Sequence, residues 1–271
     1  MSLRLCFDIG NTDIYGGVFR GDDLIAEFRK SNHARPTVDE FGVFLVQLLR
    51  LKGVDPAEIK AVAIASVVPD ALGPVVGAVR VHLGIEPLVL QAGVRTGLKL
   101  RVKEPTEVGA DRIANAVAAV DRFPDRDLII IDTGTATTLC VVTSAREYLG
   151  GAIVAGLGLS MRALGRGTAK LPLVDIQRPP HALGRTTIEN IQSGLFFGHL
   201  GTLRELIARL SEEAFGGVHP IVVGTGGFAP LFKEFGVFDT IVPDLVLRGL
   251  LRAIDLNTES PRTGAGKGAR Q

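Results

Sequence analysis

Short apolar runs alternate with segments of helical periodicity along most of the chain. Residues 3–8, 14–19 and 24–28 are apolar runs joined by polar turns, a pattern that predicts consecutive strands. Residues 37–51 repeat apolar positions at helical spacing, and Gly53 follows as a stop signal. Further strands are predicted at 59–66, 87–90, 128–132, 138–143 and 219–223, and helices at 70–83, 107–123, 159–165, 187–210, 229–235 and 245–254. The alternation predicts an α/β protein with largely buried sheets.

Two similar strand-and-turn segments lie nearly half a chain length apart. Phe7-Asp8-Ile9-Gly10-Asn11-Thr12 closes one apolar strand, and Ile131-Asp132-Thr133-Gly134-Thr135-Ala136 closes another. Each is followed by a second β-type run, which indicates duplication, although two such turns also resemble each other by chance. We therefore predict an N-terminal domain at 1–113 and a C-terminal domain at 114–256. Residues 257–271 carry no apolar pattern and are predicted to form a disordered tail.

The D-x-G turns that end these strands suit phosphate binding. Glycine lets the backbone bend tightly and approach a ligand, and the next N–H groups and Thr or Asn side chains can donate to phosphate oxygens. The carboxylate can hold a cation that neutralises those oxygens. A single D-x-G is more often a plain β-turn. A pair that faces across a cleft would instead hold a nucleotide's phosphates from both sides.

Composition excludes several classes of partner. Of 271 residues, 46% are hydrophobic and 22% charged, as in soluble globular proteins. The net charge of +1 gives no bulk attraction for nucleic acid or an anionic membrane. Cys6 and Cys140 lie in apolar runs and are expected as buried free thiols. The N-terminus reaches charge too early for a signal peptide, and no apolar run could span a bilayer, so we expect a cytoplasmic protein.

Other nucleotide and metal motifs are absent from the sequence or weak. There is no P-loop, no protein-kinase motif set, no H-E-x-x-H and no paired-cysteine motif, and the histidines are scattered. Gly224-Thr225-Gly226-Gly227-Phe228-Ala229 fits the dinucleotide pattern G-x-G-x-x-[GA]. A lone match of this kind is weak and lies far from the N-terminal strand. It fits an NAD enzyme, a nucleotide-binding turn of another fold, or a structural turn.

Taken in order, the motifs resemble those of type III pantothenate kinases. Over residues 5–250 they are Asp8 to Thr12 (first phosphate motif), Glu107-Val108-Gly109-Ala110-Asp111-Arg112 (pantothenate motif), Asp132 to Thr138 (second phosphate motif), Gly150 to Ile153 with Thr168 to Pro172 (interface and substrate region), Gly184 to Thr187 with Ile191 to Gly194, and Gly224 to Gly227 (adenosine motif). Each motif is modest by itself, and the ordered set is specific.

The resemblance implies an activity and a fold. It implies two tandem ribonuclease H-like domains of the actin-like ATPase type around a nucleotide cleft. It implies transfer of the γ-phosphoryl group of ATP to pantothenate, which gives 4'-phosphopantothenate in the first step of coenzyme A biosynthesis. It also implies Mg²⁺, a monovalent cation (K⁺ or NH₄⁺) and a homodimer with its sites near the subunit interface.

The resemblance also assigns roles to residues. Asp111 is the expected general base, although an Asp at a helix start is also stabilised by the helix dipole. Asp132 is the expected monovalent-cation ligand, and Asp8 would hold Mg²⁺ directly or through water. Expected at ATP are Asp8, Ile9, Gly10, Asn11, Thr12, Asp13, Ile14, Tyr15, Thr135, Gly226 and Gly227. Expected at the substrate are Gly109, Ala110, Asp111, Arg112 and Thr187.

Two of the substrate residues have other interpretations. The planar fork of Arg112 suits a bidentate contact with the pantothenate carboxylate, but a surface Arg on an amphipathic helix would look the same. Thr187 fits a substrate hydrogen bond and equally a helix N-cap. Departures from the family pattern are Asp13, Thr106, Thr133 and Ala155. Of these, Asp13 adds negative charge near a phosphate site.

Other functions remain open at the level of sequence. Accessory factors linked to transcription share the family, so a non-catalytic paralogue is the main alternative. The presence of Asp8, Asp111 and Asp132 together favours the kinase. A sugar or acetate kinase of the same superfamily is a further possibility, against which the G-x-D-R segment argues.

Overall fold

The computed structural model describes residues 2–32 and 35–258. The first half forms a five-stranded sheet of order β3-β2-β1-β4-β5, in which β1 is antiparallel to β2 and parallel to β4. Its elements are β1 (Leu3–Ile9), β2 (Asp13–Arg20), β3 (Asp23–Ser31), α1 (Val38–Leu51), β4 (Ile59–Ser66), α2 (Pro69–Leu83) and β5 (Leu88–Val89).

The second half forms a six-stranded sheet of order β11-β10-β7-β8-β9-β6. Its elements, in chain order, are β6 (Lys99–Leu100), α3 (Ala110–Arg122), β7 (Leu128–Thr133), β8 (Ala136–Val142), β9 (Glu147–Ala155), α4 (Leu157–Gly167), α5 (Thr187–Phe215), β10 (Ile221–Thr225), β11 (Thr240–Ile241) and α6 (Leu245–Thr258). Short 3₁₀ turns occupy Pro56–Glu58, Pro105–Glu107 and Ala229–Phe235.

The two sheets repeat one plan. In each, a central strand (β1 or β7) pairs antiparallel with the next strand and parallel with a later one (β4 or β10). A third parallel strand (β5 or β11) follows at the edge. This confirms the α/β fold with its repeated halves. The domain boundary near residue 113 remains a prediction. Strand β6 precedes this residue but joins the second sheet, and α6 follows it but packs on the first sheet.

Helices α3 and α6 lie between the sheets and hold them together. Ile113 and Val117 of α3 and Leu250 of α6 pack on the face of the first sheet that carries Cys6. The opposite face of α3 packs on the second sheet. Gly249 permits the close approach of the two helices, since a Cβ there would overlap the Ala114 carbonyl. The N-terminus of α3 is therefore fixed between the halves, and both cysteines are buried and free as expected.

The structure corrects several predicted elements. Helix α3 begins at Ala110 and not near Glu107, because Val108 and Gly109 are extended after the 3₁₀ turn. Strand β9 was not predicted, because its glycines disfavour a strand by propensity. There Gly151 has φ +153° and lies so close to Leu139 that no side chain would fit.

The predicted disordered tail begins too early in the sequence. Asn257 and Thr258 complete α6, where Asn257 bonds the backbone of Arg95. The rest of the segment lies outside the described residues.

Candidate active site

The two D-x-G turns open into one cleft of about 180 Å³ between the halves. In each turn the glycine N–H donates to a backbone carbonyl that follows it, Asp13 O for Gly10 (2.9 Å) and Ala136 O for Gly134 (3.1 Å). The turns touch through Thr12 Oγ1 and Thr135 Oγ1, 2.8 Å apart. Predicted residues that line the cleft are Asp8, Gly10, Asn11, Thr12, Asp13, Tyr15, Asp111, Asp132, Thr135, Gly226 and Gly227. Ile9 and Ile14 are instead fully buried in the core of the first sheet.

Three partly buried carboxylates from separate elements, Asp8, Asp111 and Asp132, share this cleft. Burial, and then Asp111 and Asp132, raise the pKa of Asp8 well above its ordinary value. Its Oδ1 atom is buried without a hydrogen-bond partner among the described residues. Burial and the charge of Asp111 raise the pKa of Asp132 to about 6, against a hydrogen bond from Asn115 (3.0 Å). Such a group of carboxylates is stable as anions only with a neutralising cation.

The donor set fits a cation that also binds substrate oxygens and water. Among the residues described, no three His, Cys, Asp or Glu side chains are grouped closely enough to hold a metal ion. Mg²⁺ commonly takes only one or two carboxylates and completes its shell with water and phosphate oxygens. The unpartnered oxygen of Asp8 is therefore a suitable single protein ligand.

Asp111 lies at the N-terminal end of α3, as its second residue. Its Oδ1 accepts a hydrogen bond from the Arg112 backbone N–H (2.8 Å). Burial raises the pKa of Asp111, and this bond together with the charge of Arg112 opposes the rise. Gly109 precedes it as the N-cap, where a Cβ would overlap the Asp111 carboxylate. Glycine at 109 thus leaves the carboxylate room to face the cleft.

A larger cavity of about 830 Å³ adjoins the cleft. The two share Val67, and Gly109 and Ala110 line the larger one, next to Asp111 in the cleft. The cavity is lined by both apolar and polar residues, and its volume suits a small organic molecule. Lining it are Leu90, Val94, Leu98, Leu100, Val108 and Ile113, with Ser66, Gln91, Thr96, Thr106 and Glu107 among the polar residues.

Arg112 lines neither cavity but is anchored on the second sheet. Its Nε donates to Cys140 Sγ (3.3 Å), and its guanidinium lies 5.8 Å from the ring centre of Tyr148. The Tyr148 hydroxyl also donates to Cys140 Sγ (3.2 Å). The anchor uses Nε, so the terminal amino groups are those that would bind a carboxylate.

Thr187 is not brought to the cleft within one chain. It is the exposed first residue of α5, and the N-cap is its neighbour Thr186, whose hydroxyl accepts from Glu189 N. The N-cap interpretation of Thr187 is therefore wrong by one residue. Its substrate role stays a prediction.

The glycines after β10, Gly226 and Gly227, line the cleft and do not form a dinucleotide-binding motif. Gly226 has φ +87°, and a Cβ there would overlap Asp132 Oδ1. The strand is followed by a 3₁₀ turn, whereas a dinucleotide motif opens an α-helix there. The NAD interpretation of this segment is wrong, and the turn brings backbone against the second phosphate motif.

Sequence reasoning missed two polar residues of the site. Asn115 stands one helical turn after Asp111, a spacing that could have revealed it. Arg29 lies on β3 and lines the cleft, where its Nη1 donates to Asp13 Oδ2 (2.8 Å). No motif marks Arg29, because its position follows from strand pairing.

Comparisons with known proteins identify the family of the chain. A family model described as type III pantothenate kinase matches residues 4–209. A type III pantothenate kinase of Legionella pneumophila (strain Paris) is 49% identical over 256 residues, 94% of this chain and 100% of that one. A type III pantothenate kinase 1 of Francisella tularensis subsp. holarctica (strain OSU18) is 47% identical over 92% of this chain and 97% of its own.

Solved structures at lower identity share the fold. A Baf family protein from Campylobacter jejuni has a TM-score of 0.59 at 18% identity, over 93% of this chain and 98% of its own. A structure from Sinorhizobium meliloti, titled as a 2-dehydro-3-deoxygalactonokinase protein, has a TM-score of 0.58 at 13% identity, over 94% and 99%. The family model and the curated relatives establish that the chain belongs to the type III pantothenate kinase family.

Proposed function

We propose that this protein phosphorylates pantothenate with ATP to give 4'-phosphopantothenate, the first step of coenzyme A biosynthesis. The observation that carries the proposal is the place of Asp111. It lies between a cleft made by two phosphate-type turns and a cavity large enough for pantothenate. Family membership supplies the substrate.

In this proposal the paired turns bind the phosphates of ATP. Asn11, Thr12 and Thr135 donate to phosphate oxygens, and the backbone at Gly226 and Gly227 lies beneath the adenosine. Mg²⁺ held by Asp8 and a monovalent cation held by Asp132 would neutralise charge on the phosphates. The partly buried, closely grouped carboxylates support this assignment because they need such partners.

Asp111 acts as the general base. It accepts the proton of the primary hydroxyl of pantothenate while that oxygen bonds to the γ-phosphorus and the bond from phosphorus to the ADP oxygen breaks. A carboxylate whose pKa is raised by burial is a stronger base than a solvated one. Gly109 and Ala110 border the acceptor, and Arg112 would bind its carboxylate.

A second copy of the chain would complete the assembly. A run of exposed large apolar side chains lies between residues 149 and 188, namely Leu149, Ile153, Leu159, Leu164, Leu173, Leu183 and Ile188. An exposed apolar surface of this kind is typical of a subunit interface. We propose a homodimer through it, in which the exposed Thr187 reaches the substrate site of the other copy.

The cellular location is part of the same proposal. In the part of the chain that the structure describes, no helix has the length and apolar character needed to cross a membrane. We propose that the enzyme works in the cytoplasm, where ATP and Mg²⁺ are supplied.

A product assay tests the reaction directly. Protein is incubated with pantothenate, ATP and Mg²⁺ in potassium and separately in sodium, and phosphopantothenate is measured by mass spectrometry. We expect product in potassium, much less in sodium, and almost none with Asp111→Asn. Asp125→Asn is the matched control, because Asp125 is an exposed turn residue at φ 57° that Asn tolerates. No product from folded wild-type dimer in either salt would overturn the kinase and favour the accessory-factor alternative.

A further inference from the structure

The cleft that would receive ATP is lined by far more negative than positive charge. Its described lining includes the four carboxylates Asp8, Asp13, Asp111 and Asp132, and Arg29 as the one basic side chain. Phosphates that enter such a cleft are repelled at short range, where effective dielectric constants are low. Bound cations offset part of this repulsion. The position of Arg29 therefore bears on nucleotide affinity.

Arg29 is held against the cleft wall by two neighbours on β2. It stands directly opposite Tyr15 in the β2–β3 pairing, and its guanidinium carbon lies 4.0 Å from the centre of the Tyr15 ring. Its Nη1 donates to Asp13 Oδ2 at 2.8 Å. Tyr15 is itself fixed, since its hydroxyl donates to Glu27 at 2.6 Å. Stacking and ion pairing together restrict the guanidinium to one orientation.

The side chain of Arg29 remains available to a ligand despite these contacts. It is 53% exposed, and a guanidinium has several N–H donors in a planar fork, of which the Asp13 contact uses one. It lines the same cleft as the Asp8 and Asp132 carboxylates. A guanidinium in this place can make bidentate contacts with phosphate oxygens.

We propose that Arg29 binds the phosphate chain of ATP, and that Asp13 and Tyr15 position it to do so. The proposal rests on the proposed function for the identity of the nucleotide. It also accounts for the acidic residue at 13 in the first phosphate motif. Asp13 pairs with Arg29 at 2.8 Å, so its charge is compensated within the cleft.

Direct nucleotide binding tests this inference apart from catalysis. The dissociation constants of MgATP and of adenosine are measured by calorimetry for wild type, Arg29→Gln and Arg29→Lys. We expect Arg29→Gln to weaken MgATP by about tenfold or more, as for loss of a charge-assisted contact, and to leave adenosine unchanged. Arg29→Lys should recover part of the loss. Arg50→Gln, at an exposed site on α1, is the matched control.

A double variant separates positioning from general damage. In Arg29→Gln the Asp13 carboxylate is left uncompensated, so Asp13→Asn added to it should tighten MgATP binding again. In steady-state assays Arg29→Gln should raise KM for ATP and leave KM for pantothenate unchanged. Equal MgATP affinity of wild type and Arg29→Gln, or an equal loss for adenosine, would overturn the proposal. Wild-type protein that binds MgATP but forms no phosphopantothenate would contradict the proposed reaction and leave the Arg29 assignment standing.

Discussion

The hydroxyl oxygens of Thr12 and Thr135 lie 2.8 Å apart, although 123 residues separate them in the chain. Each belongs to one of the two D-x-G turns, so this hydrogen bond joins the halves across the cleft mouth. Both residues are predicted phosphate ligands. Phosphates that bind there must take over the one hydroxyl proton that this bond now uses, whichever of the two residues donates it.

We expect Thr135→Val to reduce the free energy of ATP binding more than it reduces the free energy of unfolding. The pair is solvent-exposed, so its loss should hardly change the free energy of unfolding. A lost bond to a charged phosphate is worth about 1.5–3 kcal/mol, or roughly 10- to 150-fold in KM for ATP. Steady-state kinetics and thermal unfolding measure the two effects, with Thr135→Ser as the control that keeps the hydroxyl. A normal KM together with a lowered Tm would assign the pair a structural role only.

The anchor of Arg112 on the second sheet leads to a second expectation. Cys140→Ala removes the Sγ acceptor of Arg112 Nε, and Tyr148→Phe removes the hydroxyl that bonds the same sulfur. Each should raise KM for pantothenate by about three- to tenfold, the worth of one modest hydrogen bond, and leave MgATP affinity unchanged. Cys140→Ser, which keeps an acceptor, should lie nearer wild type. An equal loss of affinity for both substrates would contradict a role specific to Arg112.

The strands that carry the motifs could be predicted because their signals are local. Apolar runs bounded by polar turns predicted β1, β4 and β7 to within about a residue of the observed ends. The D-x-G turns follow those strands directly, so the cleft and its carboxylates followed from the apparent duplication. The family resemblance added Asp111, which lies on a helix and not on a strand end.

The residues that were missed depend on long-range pairing. Arg29 faces Tyr15 only because the β2–β3 ladder shifts register between Val18 and Phe19. A regular hairpin would have placed Phe28 there instead, and no local signal reveals a bulge of this kind. The contact of Arg112 with Cys140 likewise joins a helix to a strand of the second sheet. The sequence alone does not reveal this contact, because the contact forms only when the helix and the strand pack together.

The acid limb of the pH–rate profile should report Asp111. A general base works only when it is deprotonated, and burial raises the pKa of this carboxyl. The limb in kcat/KM should therefore lie above the ordinary aspartate value of 3.8, with activity lost as pH falls through it. The control is Asp125→Asn, which should leave the limb in place. A limb at the position of a solvated carboxyl would contradict Asp111 as a buried base.

Asp132 should reduce the stability of the cation-free protein at neutral pH. Its folded pKa of about 6 exceeds the ordinary 3.8, so the fold favours the protonated form, and stability is lost as pH rises through that range. The difference corresponds to about 3 kcal/mol, or roughly 6–12 °C in Tm for a chain of this size.

The substitution Asp132→Asn removes this titratable carboxyl group. In potassium-free buffer with chelator, its Tm relative to wild type should therefore rise between pH 4 and pH 7.5, although its activity is lost. Added potassium should stabilise wild type and not the variant. A Tm difference between wild type and Asp132→Asn that is independent of pH would show that the fold does not disfavour the ionised carboxylate. That result would remove the main physical argument for a cation at Asp132.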